Sequence, residues 1–218
     1  MTPQDIAAQL PNPDRLEQTS RSLAALDAVL SPETDYRTYT YNPAWSPTAR
    51  LATMNDGSGD DYVIVYSDQG TAIRGFDHES KLSPWTRDAD TIAPGVLDGL
   101  PENLRFVIDD LTLHRPGSSS SEVTFCFWIP ADSDRWSAGP ATDDGGAAWM
   151  LNLAHDGTAD AYVNYAISYF EVDLSLETVE AFFASQPATA KVIGQLNPTA
   201  DVETALADLR SIGYPVAT

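Results

Sequence analysis

Three consecutive titratable residues, Asp77, His78 and Glu79, form the group in this sequence that is most able to do chemistry. An imidazole next to a carboxylate can act as a general acid and base, or the two can ligate a metal ion. Neighbouring side chains of a strand point to opposite faces, so we expect Asp77 and Glu79 on one side and His78 on the other. The sequence thus offers His78 with Asp77 or Glu79 as the acid–base pair of a hydrolase. The alternative is a structural histidine at a strand end.

A second acidic group, Asp56, Asp60 and Asp61, lies in a glycine-containing stretch just before a predicted strand. A calcium-binding loop has a similar density of carboxylates but needs a glutamate at its twelfth position, and that position, counted from Asp56, is Ser67. The same carboxylates would repel a phosphate group. We therefore predict an aspartate-capped turn in this stretch.

Motifs that identify an enzyme or a metal site are missing from the sequence. It contains no HExxH, CxxC, GxSxG or GxGxxG pattern and no Walker loop. The two other histidines, His114 and His155, stand alone in the sequence. We therefore expect no catalytic residues, no metal ligands and no cofactor.

The chain is strongly acidic, with 32 Asp and Glu against 12 Lys and Arg and a formal net charge of −20. Residues 136–190 contain no Lys or Arg. This charge repels nucleic-acid backbones and anionic lipid headgroups, so we expect neither nucleic-acid nor membrane binding. It attracts a basic protein partner and accelerates association with it. The alternative is that the charge serves solubility alone or reflects a generally acidic proteome.

The compartment is indicated by the cysteine content and by the N-terminus. The single cysteine, Cys126, lies in an apolar run, so no disulfide can form within the chain, and we expect a core residue rather than a nucleophile. The N-terminus lacks the basic region and apolar core of a signal peptide, and no apolar run approaches the roughly 20 residues of a membrane span. These features predict a soluble protein of the cytoplasm.

Apolar periodicity predicts one long helix followed by consecutive strands. Leucines recur at helical spacing between Pro13 and Leu30, and Asn12 is a suitable N-cap. Aromatic and β-branched runs on either side of the turn Ser67–Gly70 predict a β-hairpin. A third run, residues 122–129, is apolar on both faces and predicts a central strand. The predicted strands are 35–41, 51–54, 62–66, 71–76 and 122–129.

The last third of the sequence is predicted to be helical, after an acidic and glycine-rich stretch, 132–146, that is the least regular by composition. A helix, then strands, then helices is typical of an α+β fold with an antiparallel sheet. We predict a single α+β domain over 1–218, with a possible division into a helix-plus-sheet part, 1–130, and a helical part, 147–218. The predicted helices of the second part are 147–154, 158–170, 175–184, 188–196 and 201–212. Ser175 is the predicted cap of the third of these, and Asp201 and Gly213 are the predicted N-cap and C-terminal stop of the last.

The hairpin sequence resembles that of a known family. The run Gly-Ser-Gly-Asp-Asp-Tyr-Val-Ile-Val-Tyr of residues 57–66, followed by Gly70 and by Ile-Arg-Gly-Phe-Asp-His-Glu of residues 73–79, resembles the strand pair of SMI1/KNR4-type (SUKH) proteins. It is also similar to a set of uncharacterised bacterial proteins with Gly-Phe-Asp-His-Glu-Ser and Phe-Cys-x-Trp patterns. Many SUKH members are immunity proteins that neutralise toxins of neighbouring bacteria. The resemblance, which covers 55–79, implies an α+β fold, no catalytic residues and a protein partner.

Together these observations predict a non-enzymatic bacterial immunity-like protein that binds a basic toxin domain through acidic turns, with exposed aromatic residues as anchors. The alternatives are a hydrolase-type enzyme that uses His78 and an SMI1-like regulatory or scaffolding module. The residues predicted to contact the partner are Asp56, Asp60, Asp61, Asp77, Glu79, Asp143, Asp144, Trp85 and Trp136.

Overall fold

The computed structural model describes residues 1–217, which form a six-stranded antiparallel sheet and ten α-helices. Each strand pairs with the next one in the sequence. The predicted α+β class, with an N-terminal helix and a helical C-terminal third, is confirmed. The strands are β1 (Tyr39–Ser46), β2 (Ala49–Asn55), β3 (Asp61–Ser67), β4 (Gly70–Phe76), β5 (Phe125–Pro130) and β6 (Ser137–Ala138). The helices are α1 (Pro3–Ala7), α2 (Pro13–Leu30), α3 (Pro84–Arg87), α4 (Phe106–Asp109), α5 (Ala147–Met150), α6 (Asn152–Asp156), α7 (Ala159–Tyr169), α8 (Leu176–Phe183), α9 (Ala190–Leu196) and α10 (Val202–Ser211).

Helix α2 has the predicted bounds, and its ends are explained by local chemistry. The Asn12 side chain accepts a hydrogen bond from the backbone N–H of Arg15 at 2.9 Å, and Pro13 occupies the first helical position, where no N–H is needed. Leu16, Leu23 and Leu26 are fully buried, and each contributes roughly 1.5–3 kcal/mol by leaving water.

Two strand predictions are wrong in their positions. Strand β1 begins at Tyr39 and continues through Pro43, beyond the predicted end at residue 41. An edge strand tolerates a proline where its pairing register shifts, as it does between Asn42 and Ser46. Strand β5 begins at Phe125 and is the fifth of six strands rather than a central one. Both of its faces are nevertheless covered, which explains its apolar sequence.

The two faces of the sheet carry separate hydrophobic clusters. On the first face, sheet residues such as Ile64 pack with Leu23 of α2 and with Phe182 of α8, so the C-terminal helices share one core with the N-terminal helix. On the second face, Val65 packs with Val107 of α4 and with the segments that connect β4 to β5. A division of the chain into two domains remains a prediction.

Strand β5 contributes to both clusters and packs tightly against β4. Phe125 pairs with Gly75, and a Cβ atom on Gly75 would lie only 1.9 Å from Cζ of Phe125, so only glycine fits at this position. The next residue, Cys126, lies in the second cluster, where burial raises the pKa of its thiol to about 12. The thiol is therefore protonated and inert, as expected of a core residue.

A fully buried carboxylate, Asp27, connects α2 to the elements around it. It accepts hydrogen bonds from the backbone N–H of Tyr39 at 2.9 Å and from the hydroxyl of Tyr162 on α7 at 2.7 Å. Burial raises the pKa of Asp27 to about 7, and the hydrogen bonds only partly oppose this effect.

Three details of the C-terminal third can be compared with the predictions. Asp201 accepts a hydrogen bond from the N–H of Thr204 at 2.8 Å, which confirms it as the N-cap of α10. Gly213, at φ +74°, follows that helix as predicted. Ser175 precedes α8, but its side chain makes no capping hydrogen bond, so that prediction is wrong.

Candidate functional site

The residues that follow β4 form a turn and do not continue the strand. The carboxylate of Asp77 accepts hydrogen bonds from the backbone N–H groups of Glu79 at 2.9 Å and Ser80 at 3.0 Å. The predicted alternation of these side chains is therefore wrong, because it requires an extended backbone. The turn places Asp77 and His78 close to Asp60, which lies in the turn between β2 and β3.

His78 forms its closest contact with Asp60. Its Nδ1 lies 2.7 Å from Oδ1 of Asp60, and its backbone N–H donates to the same oxygen at 2.8 Å. The sequence predicts Asp77 or Glu79 as the partner of this imidazole, whereas its hydrogen-bond partner in the structure is Asp60. The hydrogen bond to Asp60 raises the pKa of His78, and the nearby charges of Asp60, Glu79 and Asp77 act in the same direction.

Asp56 positions Asp60. Its Oδ1 accepts hydrogen bonds from the N–H groups of Ser58 at 2.8 Å and Asp60 at 3.1 Å, which confirms the predicted aspartate-capped turn. Gly59 adopts φ +120°, and a Cβ atom there would lie 3.6 Å from Nδ1 of His78. Gly59 is therefore suited to the positive φ of the turn, and the imidazole of His78 packs beside it.

Two exposed tryptophans contact the turn that holds Asp77 and His78. Trp149 of α5 donates from Nε1 to Oδ2 of Asp77 at 3.1 Å, and the ring centroids of Trp85 and His78 are 6.1 Å apart. Trp85 is 56% exposed and Trp149 is 47% exposed. We call Asp77, His78, Glu79, Trp85 and Trp149 the two-tryptophan surface. Sequence reasoning missed Trp149 because it lies in an apolar run that predicts only a buried helix.

Thr124 and the acidic stretch before α5 contact Asp77 and hold this surface in place. Thr124 accepts a hydrogen bond from the N–H of Asp77 at 3.0 Å and donates to the carbonyl of Gly145 at 2.6 Å. Gly146 has φ +92°, and a Cβ atom there would lie 2.3 Å from Oδ2 of Asp77. Both predicted contact residues of the stretch, Asp143 and Asp144, are half-buried and accept hydrogen bonds from backbone N–H groups of the stretch and of α5.

Two of the predicted contact residues, Asp60 and Asp61, are buried, and a third, Trp136, is half-buried. Asp61 is buried and lies 2.8 Å from Nε of Arg115 and 3.4 Å from a guanidinium nitrogen of Arg74, so its carboxylate is occupied within the protein. Asp60 is 6% exposed and is held by His78. Trp136 is half-buried, and its Nε1 donates to the carbonyl of Pro11 at 2.7 Å.

Two grooves of the protein lie away from this surface. One of about 540 Å³ is lined by Gln4, Leu10 and Trp136, between α1 and β6. A second of about 380 Å³ is lined by Glu17 and Arg50, at the other end of the sheet. Neither is lined by His78, whose side chain is 30% exposed.

Comparisons with known proteins identify no relative. No protein-family model, no curated protein and no solved structure matches the chain. Among residues 1–217, no helix combines the length and the apolar character needed to cross a membrane.

Proposed function

We propose that this chain is a non-enzymatic, immunity-type protein that binds a basic toxin domain in the cytoplasm of a bacterium and neutralises it. The observation that carries the proposal is the pair of exposed indoles, Trp85 and Trp149, in contact with the acidic turn that contains Asp77 and Glu79. Tryptophan is among the residues most enriched at the centres of protein–protein interfaces, where a few side chains contribute most of the binding energy.

The chemistry of the two-tryptophan surface suits a cationic partner. Each indole offers a large apolar area that a partner can cover and a π-face that attracts a guanidinium or ammonium group. Glu79 is exposed beside them, and the whole chain has a net charge of −20. Such a field accelerates the approach of a basic protein, and the indoles then slow its dissociation.

The resemblance to SUKH proteins supports the same assignment from the sequence side. It covers residues 55–79, and these include the Asp56 turn and three members of the two-tryptophan surface, Asp77, His78 and Glu79. The segment that resembles an immunity family is therefore the segment around which the two exposed tryptophans cluster.

The test is to co-express the chain with each toxin domain encoded beside its gene, and to measure growth and the Kd of the purified pair. We expect the wild-type chain to restore growth. The double variant W85A/W149A should not restore growth. Truncating each such anchor costs about 2 kcal/mol or more, which weakens the Kd at least about 30-fold per residue.

The matched control is Tyr36→Ala, since Tyr36 is also an exposed aromatic residue but lies before the edge strand β1. It should neutralise the toxin as the wild type does. Neutralisation that survives in W85A/W149A, or that is lost equally in Y36A, would contradict the proposal. Binding to the toxin domain without restored growth would favour the SMI1-like regulatory or scaffolding alternative.

A second candidate function, a hydrolase, is supported by one observation. The carboxylate of Asp60 holds Nδ1 of His78, an arrangement that leaves Nε2 available as a general base. Turnover of simple ester or amide substrates that is lost in His78→Gln would support it, provided that the variant unfolds at the same urea concentration as the wild type. Equal turnover by wild type and variant would exclude His78 as the base.

A further inference from the structure

We propose that Asp60, Asp77 and His78 bind a divalent metal ion of the Zn²⁺ or Mn²⁺ type. One potential ligand atom from each of the three residues lies within 4.8 Å of the other two, and no other such group occurs among residues 1–217. An imidazole with two carboxylates is a donor set that suits these ions. The inference is separate from partner binding, because it concerns the chain alone.

Asp60 has one carboxylate oxygen that is available to a cation. The residue is 6% exposed, and both hydrogen bonds to its carboxylate, from the backbone N–H and the ring of His78, reach Oδ1. Oδ2 accepts no hydrogen bond from residues 1–217, so its lone pairs are free for a ligand. A cation placed between Asp60 and Asp77 would also offset the repulsion between these two neighbouring carboxylates.

The distances allow an ion to enter with a small movement. Nδ1 of His78 and Oδ1 of Asp60 are 2.7 Å apart. Two ligands at roughly 2.0–2.2 Å from one ion lie about 3–3.5 Å from each other, so the exposed imidazole must move outward by less than about 1 Å. The ion replaces the proton between the two groups, and this proton passes to the solvent.

Asp77 is already held in place for such a role. Its Oδ1 accepts the N–H groups of Glu79 and Ser80, and its Oδ2 accepts Nε1–H of Trp149. Outer hydrogen bonds of this kind orient metal ligands and contribute tenfold or more to metal affinity. They also place the fluorescent indole of Trp149 next to the proposed ion, where it can report binding.

The experiment titrates the full chain, first freed of metal with EDTA, with ZnCl₂ and separately with MnCl₂. Calorimetry and tryptophan fluorescence report binding. We expect saturable binding of one ion, and at least a tenfold loss of affinity in His78→Gln and in Asp77→Asn. The matched control is His155→Gln, because Nδ1 of His155 also lies 2.7 Å from a carboxylate, that of Asp156, but belongs to no group of three ligands.

Unchanged affinity in His155→Gln together with the loss in His78→Gln would support the site. No binding of either ion up to about 1 mM, or equal binding by wild type and His78→Gln, would overturn it. His78→Gln decides the matter even if Asp77→Asn fails to fold. Its side chain is partly exposed, and its backbone N–H can still donate to Asp60.

Discussion

At the residue scale, the charge state of the buried Asp27 couples folding to pH. Burial raises its pKa to about 7, whereas an aspartate in an unfolded chain titrates near about 3.9. The folded chain therefore holds this proton more tightly than the unfolded chain does. The stability that the protonated form confers is fully present below the unfolded pKa and is lost as the pH rises through about 7.

Replacing Asp27 by Asn should remove this pH dependence. The amide keeps an oxygen for the N–H of Tyr39 and can donate to the hydroxyl of Tyr162. We expect the free energy of unfolding of the wild type, measured by urea denaturation, to fall by about 2–3 kcal/mol more between pH 5 and pH 8 than that of D27N.

Tyr162→Phe is the companion variant. It removes the hydroxyl that donates to Asp27, so it should destabilise the fold by about 1–3 kcal/mol at pH 8, where the carboxylate is charged, and by less at pH 5. If the free energy of unfolding changed equally with pH in the wild type and in both variants, Asp27 would not be the source of the pH dependence.

At the scale of elements, the hairpin β3–β4 shows how much of the site the sequence can predict. The pair Ser67 and Gly70 closes the two-residue turn that the sequence indicates, and seven pairs are formed from there to Asp61 and Phe76. One further step away from the turn places Asp60 opposite Asp77. Extending the hairpin register by one pair therefore predicts that Asp60 lies beside Asp77 and His78. The prediction of alternating strand side chains for 77–79 did not show this proximity.

The remaining members of the site depend on contacts between distant segments, which periodicity does not encode. Trp149 reaches Asp77 because Thr124 and the glycines before α5 allow a close backbone approach. The long amphipathic helix α2 and the hairpin strands follow local patterns, and these elements were predicted nearly to the residue. The edge strand β1 was not, because its proline is tolerated only through its position in the sheet.

Glycine-to-alanine variants test the packing between strands β4 and β5. Gly75→Ala should lower the free energy of unfolding by about 1–3 kcal/mol or more, because the new methyl group would collide with Phe125. The matched control is Gly194→Ala on α9, where nothing lies within 4 Å of the added atom; it should raise that free energy by up to about 1 kcal/mol. Urea denaturation of both measures the contrast, and an equal effect of the two substitutions would contradict the tight pairing of Gly75 with Phe125.

At the scale of the whole molecule, the net charge of −20 opposes compaction through self-repulsion. Raising NaCl from about 10 mM to about 0.5 M shortens the screening length from about 30 Å to a few Å and weakens that repulsion. We therefore expect the midpoint temperature of thermal unfolding to rise with salt.

A charge-reduced variant separates this effect from general salt effects. Asp68, Asp98 and Asp132 are exposed, and replacing all three with Asn removes charge without removing an ion pair. The variant should be more stable than the wild type at low salt and should respond less to added NaCl. An identical salt response in the two proteins would show that self-repulsion is not the cause.

The protonated, enclosed thiol of Cys126 has a practical consequence for studying this molecule. Since maleimide reagents need an accessible thiolate, the native chain should stay unlabelled under folded conditions. A cysteine introduced by Glu79→Cys would then be the one reactive handle. A dye or spin label attached there could follow a partner or an ion arriving at the neighbouring side chains, with no need to alter the natural cysteine first.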